Sequence, residues 1–194
     1  MIIGVTGNTG AGKSTVARLF KIKARVLNIK GGQNFQVINA DKIARQALQK
    51  SNVKDALVRA FGDSIFVKGK IISGKLAAIA FSSATNVKKL NSITHPTIRK
   101  EILRQLKGDV VIDAPLLIEG GFYKNCDYVL LVKCDTNKIL KRTQKRKYNV
   151  KERIRHQMPF SLKAKYADFI IDNNDSMANT REQVKEIIYE IENR

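Results

Sequence analysis

Hydrophobic positions along this chain fall into two alternating rhythms, short unbroken runs and helical spacings. Residues 2–5 (IIGV) form a short apolar run ending at Thr6-Gly7, the profile of a strand covered on both faces in a parallel sheet. Val16, Leu19 and Phe20 then recur at the spacing of one helix face. Further strands are predicted at residues 35–40 (FQVINA), 108–115 (GDVVIDAP), 128–134 (YVLLVKC) and 169–172 (FIID). Val184, Ile187, Ile188 and Ile191 place a closing amphipathic helix after the last strand. Residues 42–107 look mostly helical, with VKDALVRAF (53–61) as one helix and Pro96 marking the start of another, HPTIRKEILRQL (95–106). Residues 21–35, with a Gly31-Gly32 turn, fit either a hairpin or a loop. Strands separated by helices predict an α/β fold with a parallel five-stranded sheet, into which the block 42–107 is inserted as a separate lobe.

Composition narrows the class. The chain has 194 residues, enough for one domain with a full core, and 43% of them are hydrophobic. No apolar stretch reaches membrane-spanning length and MIIGV is too short for a signal-peptide core, so a cytoplasmic protein with no membrane partner is expected. Cys126 and Cys134 lack a metal-ligand grouping and read as partly buried thiols rather than a disulfide. Lys plus Arg number 36 against 17 Asp plus Glu, a net charge of +19 that favours polyanions: nucleic acid, acidic lipid or phosphorylated small molecules.

GNTGAGKS, residues 7–14, chooses among these. It fits G-x-x-x-x-G-K-[ST] between a predicted strand and a predicted helix. Gly7, Gly10, Ala11 and Gly12 let backbone N–H groups curl around phosphate oxygens, and the helix opening at Lys13, Ser14 and Thr15 points its positive end at the same anion. Lys13 supplies a cation for the terminal phosphates of ATP, and the Ser14 hydroxyl a ligand for Mg²⁺. The N/T-K-x-D signature of GTPases is absent; TNKI at 136–139 ends in the wrong residue. Asp41, after the second predicted strand, could accept a proton from a substrate hydroxyl or cap the helix KIARQAL. Asp113, closing VVID, could hold the Mg²⁺ water shell or be a polar strand end.

Five segments in order resemble the dephospho-CoA kinase family: GNTGAGKSTVARLF (7–20), INADKIAR (38–45), LNSITHPTIR (90–99), DAPLLIEGGFY (113–123) and RIRHQMPFSLKAKYADFIIDNN (153–174). The resemblance implies transfer of a phosphoryl group from ATP, with Mg²⁺, to the ribose 3′-hydroxyl of dephospho-CoA, giving coenzyme A and ADP as the last step of its biosynthesis. It implies a P-loop core (residues 1–41, 108–137 and 166–194), a helical CoA lobe (42–107) and a basic lid (138–165). Catalysis falls to Asp41 as general base with Lys13 and Arg146. Acceptor binding falls to Arg45, His95, Arg99, Pro115, Leu116, Leu117 and Glu119, though His95 could instead cap a helix before Pro96. Asn173 and Asn174 fall near the adenine, and Arg142, four residues before Arg146, shares a helix face with it toward the triphosphate. Most of the lid lysines fit a solvated basic helix better than a functional role.

Departures from the family pattern are Asn39 in place of an acid, Ser73 in place of a basic residue, Lys147 after Arg146, and the long 21–35 connection. A monomer is expected. The rival readings are another small-molecule kinase, for nucleosides, nucleotides or shikimate-like alcohols, and a nucleic-acid-binding ATPase. No RNP-type or helix-turn-helix motif supports the latter, and nucleic acid is not the expected partner.

Overall fold

The structure, a computed structural model, describes residues 1–21, 35–144 and 150–194. Most of the 21–35 connection, and Arg146 with Lys147, lie outside these residues. The chain divides into two compact units, one of Met1–Asn39 with Leu106–Arg194, the other of Ala40–Gln105.

The first unit is built on strands β1 (Ile2–Gly7), β2 (Gln36–Asn39), β5 (Val110–Asp113), β6 (Tyr128–Lys133) and β7 (Phe169–Asp172), in the order β2-β5-β1-β6-β7. Every pairing is parallel. β5 is buried along its whole length, as a central parallel strand must be, and VVID carries the β-branched residues that suit it. The second and third predicted strands prove shorter than their apolar runs: Ala40 already opens a helix, and β5 ends at Asp113, ahead of Pro115. Helices α1 (Lys13–Lys21) and α9 (Met177–Glu192) pack their apolar stripes into one core: Val16, Ala17 and Phe20 meet Val184, Ile187, Ile188 and Ile191 around Ile3, Val5, Leu130 and Ile171. The segment after β6 carries α6 (Thr136–Thr143), α7 (Val150–Arg155) and α8 (Phe160–Ala164).

The second unit holds α2 (Ala40–Ala47), α3 (Ser51–Phe61), a small antiparallel hairpin of β3 (Phe66–Val67) and β4 (Lys70–Ile71), α4 (Ser73–Ala80) and α5 (Ala84–Gln105). It has its own core of Val53, Leu57, Ile65, Ile71, Leu76 and Ala80, with Leu90 and Ile93 of α5 packed on it. The helix expected to start at Pro96 instead starts at Ala84 and runs through the proline. Burial of Thr94 on one side and Ile102 on the other outweighs the N–H that Pro96 cannot give. No helix among the described residues is long and apolar enough to cross a membrane.

Candidate active site

β1 delivers the phosphate loop and α1 leaves it. Gly12 has φ +101°, and a Cβ there would lie 2.1 Å from Nδ2 of Asn173; Gly10 has φ +89° and a Cβ would lie 2.7 Å from Ile139. Only glycine fits either place. Asn173 is buried beneath the loop, where its Nδ2 donates to the Ala11 carbonyl at 2.7 Å and its Oδ1 accepts from the Thr180 hydroxyl at 2.9 Å. The Ala11 side chain is wholly buried, so any ligand contact falls to its backbone. Lys13, 7% exposed, turns back to donate to the Asn8 carbonyl at 2.9 Å. The amides of Thr15 and Val16 both donate to the Gly12 carbonyl, which starts the helix.

Asp113, at the end of β5, is buried and receives two donors on one oxygen: the Ser14 hydroxyl at 2.5 Å and the Asn39 amide nitrogen at 3.0 Å. The hydroxyl and carboxylate expected to serve Mg²⁺ are therefore adjacent. Both are hard oxygen donors, and Mg²⁺ is commonly held by one carboxylate, a hydroxyl and substrate phosphates rather than by a protein cage. The residues fit the ion. Asn39 replaces an acid, and its role is to donate to Asp113, a bond that a carboxylate at this position would replace with repulsion.

On the other side of the loop is a cavity of about 620 Å³ whose lining includes Asn8, Cys134, Asp135, Asn137, Lys138 and Lys141. Arg142 lies by its rim residue Cys134, donating to the Asn173 carbonyl at 3.0 Å and touching the thiol sulfur at 3.5 Å. The two asparagines expected at the adenine are committed internally. Asn173 braces the loop, and Asn174 accepts from the Asp135 amide at 2.8 Å through its side chain and from Lys138 through its carbonyl. Both cysteines are free thiols; burial raises the Cys126 pKa to about 12 and also raises that of Cys134.

The segment from Pro115 to Glu119 serves several ends. Leu116 is exposed, whereas Leu117 is fully buried against Gly4 and belongs to the core, out of a ligand's reach. The Pro115 carbonyl accepts from Lys163 Nζ at 2.7 Å and from the Thr6 hydroxyl at 3.4 Å. Glu119 is turned inward, where one oxygen meets Lys163 at 3.1 Å and the Met158 amide at 2.9 Å. Its other oxygen is buried without a hydrogen-bond partner. Lys163 and Gln157 were not singled out from the sequence, although the run RIRHQMPFSLK that holds them was.

In the second unit, Asp41 lies in the first turn of α2 and is exposed. The helix opens at Ala40, so Asp41 is within it rather than its cap, and its charge favours that helix end. Arg45, one turn on, donates to the Asp41 carbonyl at 3.3 Å. His95 and Arg99 are one turn apart on α5, so His95 does not cap a helix. Partial burial lowers the His95 pKa below its ordinary 6.5, keeping the imidazole neutral at pH 7. Ser73 opens α4 and is exposed.

A family model described as dephospho-CoA kinase matches residues 1–179. A dephospho-CoA kinase of Aquifex aeolicus is 36% identical over 97% of this chain and 96% of its own length. The structure of a dephospho-CoA kinase from Campylobacter jejuni superposes with a TM-score of 0.65 at 30% identity, covering 98% of this chain and 96% of that one. A shikimate kinase of Acinetobacter baumannii shares the fold, with a TM-score of 0.58 at 16% identity over 99% of this chain and 93% of its own.

Proposed function

The chain belongs to the dephospho-CoA kinase family, and from that premise we propose how its residues carry out ATP-dependent phosphorylation of dephospho-CoA. The observation that carries the proposal is the phosphate loop with the Ser14 hydroxyl set on Asp113. Gly7, Gly10 and Gly12 offer main-chain amides to the β- and γ-phosphates, whereas the Ala11 amide donates to the Asn8 carbonyl at 3.0 Å and shapes the loop instead; Lys13 releases the same Asn8 carbonyl to neutralise the phosphates. Ser14 and Asp113 would hold Mg²⁺, which would supply the charge that screens the phosphates. Asp41 takes the proton of the ribose 3′-hydroxyl as the γ-phosphoryl group passes in line to that oxygen. Arg142 and Arg146 spread positive charge over the donor, a task suited to planar guanidinium.

On the acceptor side, Arg45 and Arg99 meet the anionic part of dephospho-CoA, neutral His95 supplies a hydrogen bond, and Leu116 an apolar contact. The proposal extends to a cytoplasmic monomer with no nucleic-acid partner. Its test is ADP release with dephospho-CoA, adenosine, uridine, AMP and shikimate as acceptors, and with RNA or DNA added in their place, with and without Mg²⁺. Turnover with dephospho-CoA at least a hundredfold above the others supports it. A preference for another alcohol makes the chain a different small-molecule kinase, and stimulation by RNA or DNA alone makes it a nucleic-acid ATPase.

A further inference from the structure

Lys163 is wholly buried, which is rare for a lysine and costly unless its charge is matched. Here it is matched by geometry: Nζ lies 2.7 Å from the Pro115 carbonyl and 3.1 Å from Glu119. The same Glu119 oxygen takes the Met158 amide, so the carboxylate fixes both ends of residues 158–163. Directly before Met158, the Gln157 side chain reaches in two directions. Its Oε1 accepts from the backbone N–H of Thr9 at 2.9 Å, and its Nε2 approaches the Pro115 carbonyl at 3.5 Å. Thr9 is the third residue of the phosphate loop, and Pro115 stands two residues beyond Asp113.

One side chain thus spans the loop that grips the donor and the strand exit that carries the carboxylate opposite Ser14. We propose that Gln157 is a positioning residue for the phosphate loop, held in register by the buried Lys163–Glu119 pair. Fixing the Thr9 amide sets the curvature of the loop before nucleotide arrives, so ATP need not do that ordering itself. Lys163 acts one step further back: it anchors the chain from which Gln157 projects.

The proposal rests on ATP as the ligand of the loop, and its test reads ATP affinity directly, apart from turnover. Dissociation constants for ATP with Mg²⁺, steady-state kinetics and melting temperature are measured for wild type, Gln157→Met, Lys163→Met and Lys163→Met/Glu119→Gln. Gln157→Met, which keeps the length of the side chain and removes both polar ends, is expected to weaken ATP about tenfold. Its melting temperature should stay within about 2 °C and its KM for dephospho-CoA within twofold. Lys163→Met is expected to lose both ATP affinity and melting temperature, because Glu119 is stranded. The double variant removes that stranded charge, so it should regain most of the melting temperature while the tenfold loss persists. Unchanged ATP affinity in Gln157→Met overturns the proposal, as does full recovery of affinity in the double variant. Failure of wild type to phosphorylate dephospho-CoA would strike the acceptor assignment and leave the ATP titrations to decide this one.

Discussion

Among the described glycines, Gly12 leaves the least room for a side chain, caught between a left-handed backbone and the amide of Asn173. Gly12→Ala adds about 1–2 kcal/mol of backbone strain and a collision that Asn173 can relieve only by leaving the Ala11 carbonyl. The variant is expected to lose measurable ATP binding by titration calorimetry and to melt lower than wild type. Asp41→Asn tests the opposite kind of residue, one whose burial and strain matter little. It should lower kcat by about 10²–10⁴-fold with the ATP dissociation constant unchanged. Residues of the loop were legible because they are contiguous and each has a distinct chemical task. Gln157 and Lys163 were not, since their partners Thr9 and Pro115 lie 148 and 48 positions away. For Asn173 the sequence offers either the adenine or a local turn, and its bonds to the Ala11 carbonyl and the Thr180 hydroxyl add a task beneath the loop that a position after a strand does not reveal.

At the scale of elements, hydrophobic rhythm located all five strands of the parallel sheet, while Pro96 misplaced the start of α5. Local chemistry disfavours a proline there, and only the tertiary contacts of Leu90, Ile93 and Ile102 reveal why the helix tolerates it. Pro96→Ala is expected to stabilise the second unit by about 1–2 kcal/mol, seen as a higher melting temperature. The end of α5 carries a pH signature. Hydrogen bonds from Arg104, then Gln105 and Lys50, hold Glu101 at about 2, below its ordinary 4.5. Its contribution to stability is complete above pH 4.5 and vanishes as pH falls toward 2. Melting curves of wild type and Glu101→Gln should therefore differ at neutral pH and converge through that interval.

For the molecule as a whole, the net charge of +19 was read from composition, yet composition alone could not say which anion it serves. The phosphate loop and the family match answer that for ATP and dephospho-CoA, both polyanions. Raising salt from about 50 mM to about 500 mM shortens the reach of that charge to a few ångströms. kcat/KM for both substrates is expected to fall by about tenfold or more, with kcat nearly constant. The division into two units was visible in outline, since the inserted helical block begins and ends at strands of one sheet. What the sequence lacked was the hydrogen bond from Asn39 to Asp113 within the first unit.

The bond from Asn173 to Ala11 joins positions 162 apart. During synthesis the phosphate loop therefore cannot be braced from below until β7 is complete and Asn173, just past it, has been added. Chains that stop short of Asn173 should bind ATP more weakly than the full chain.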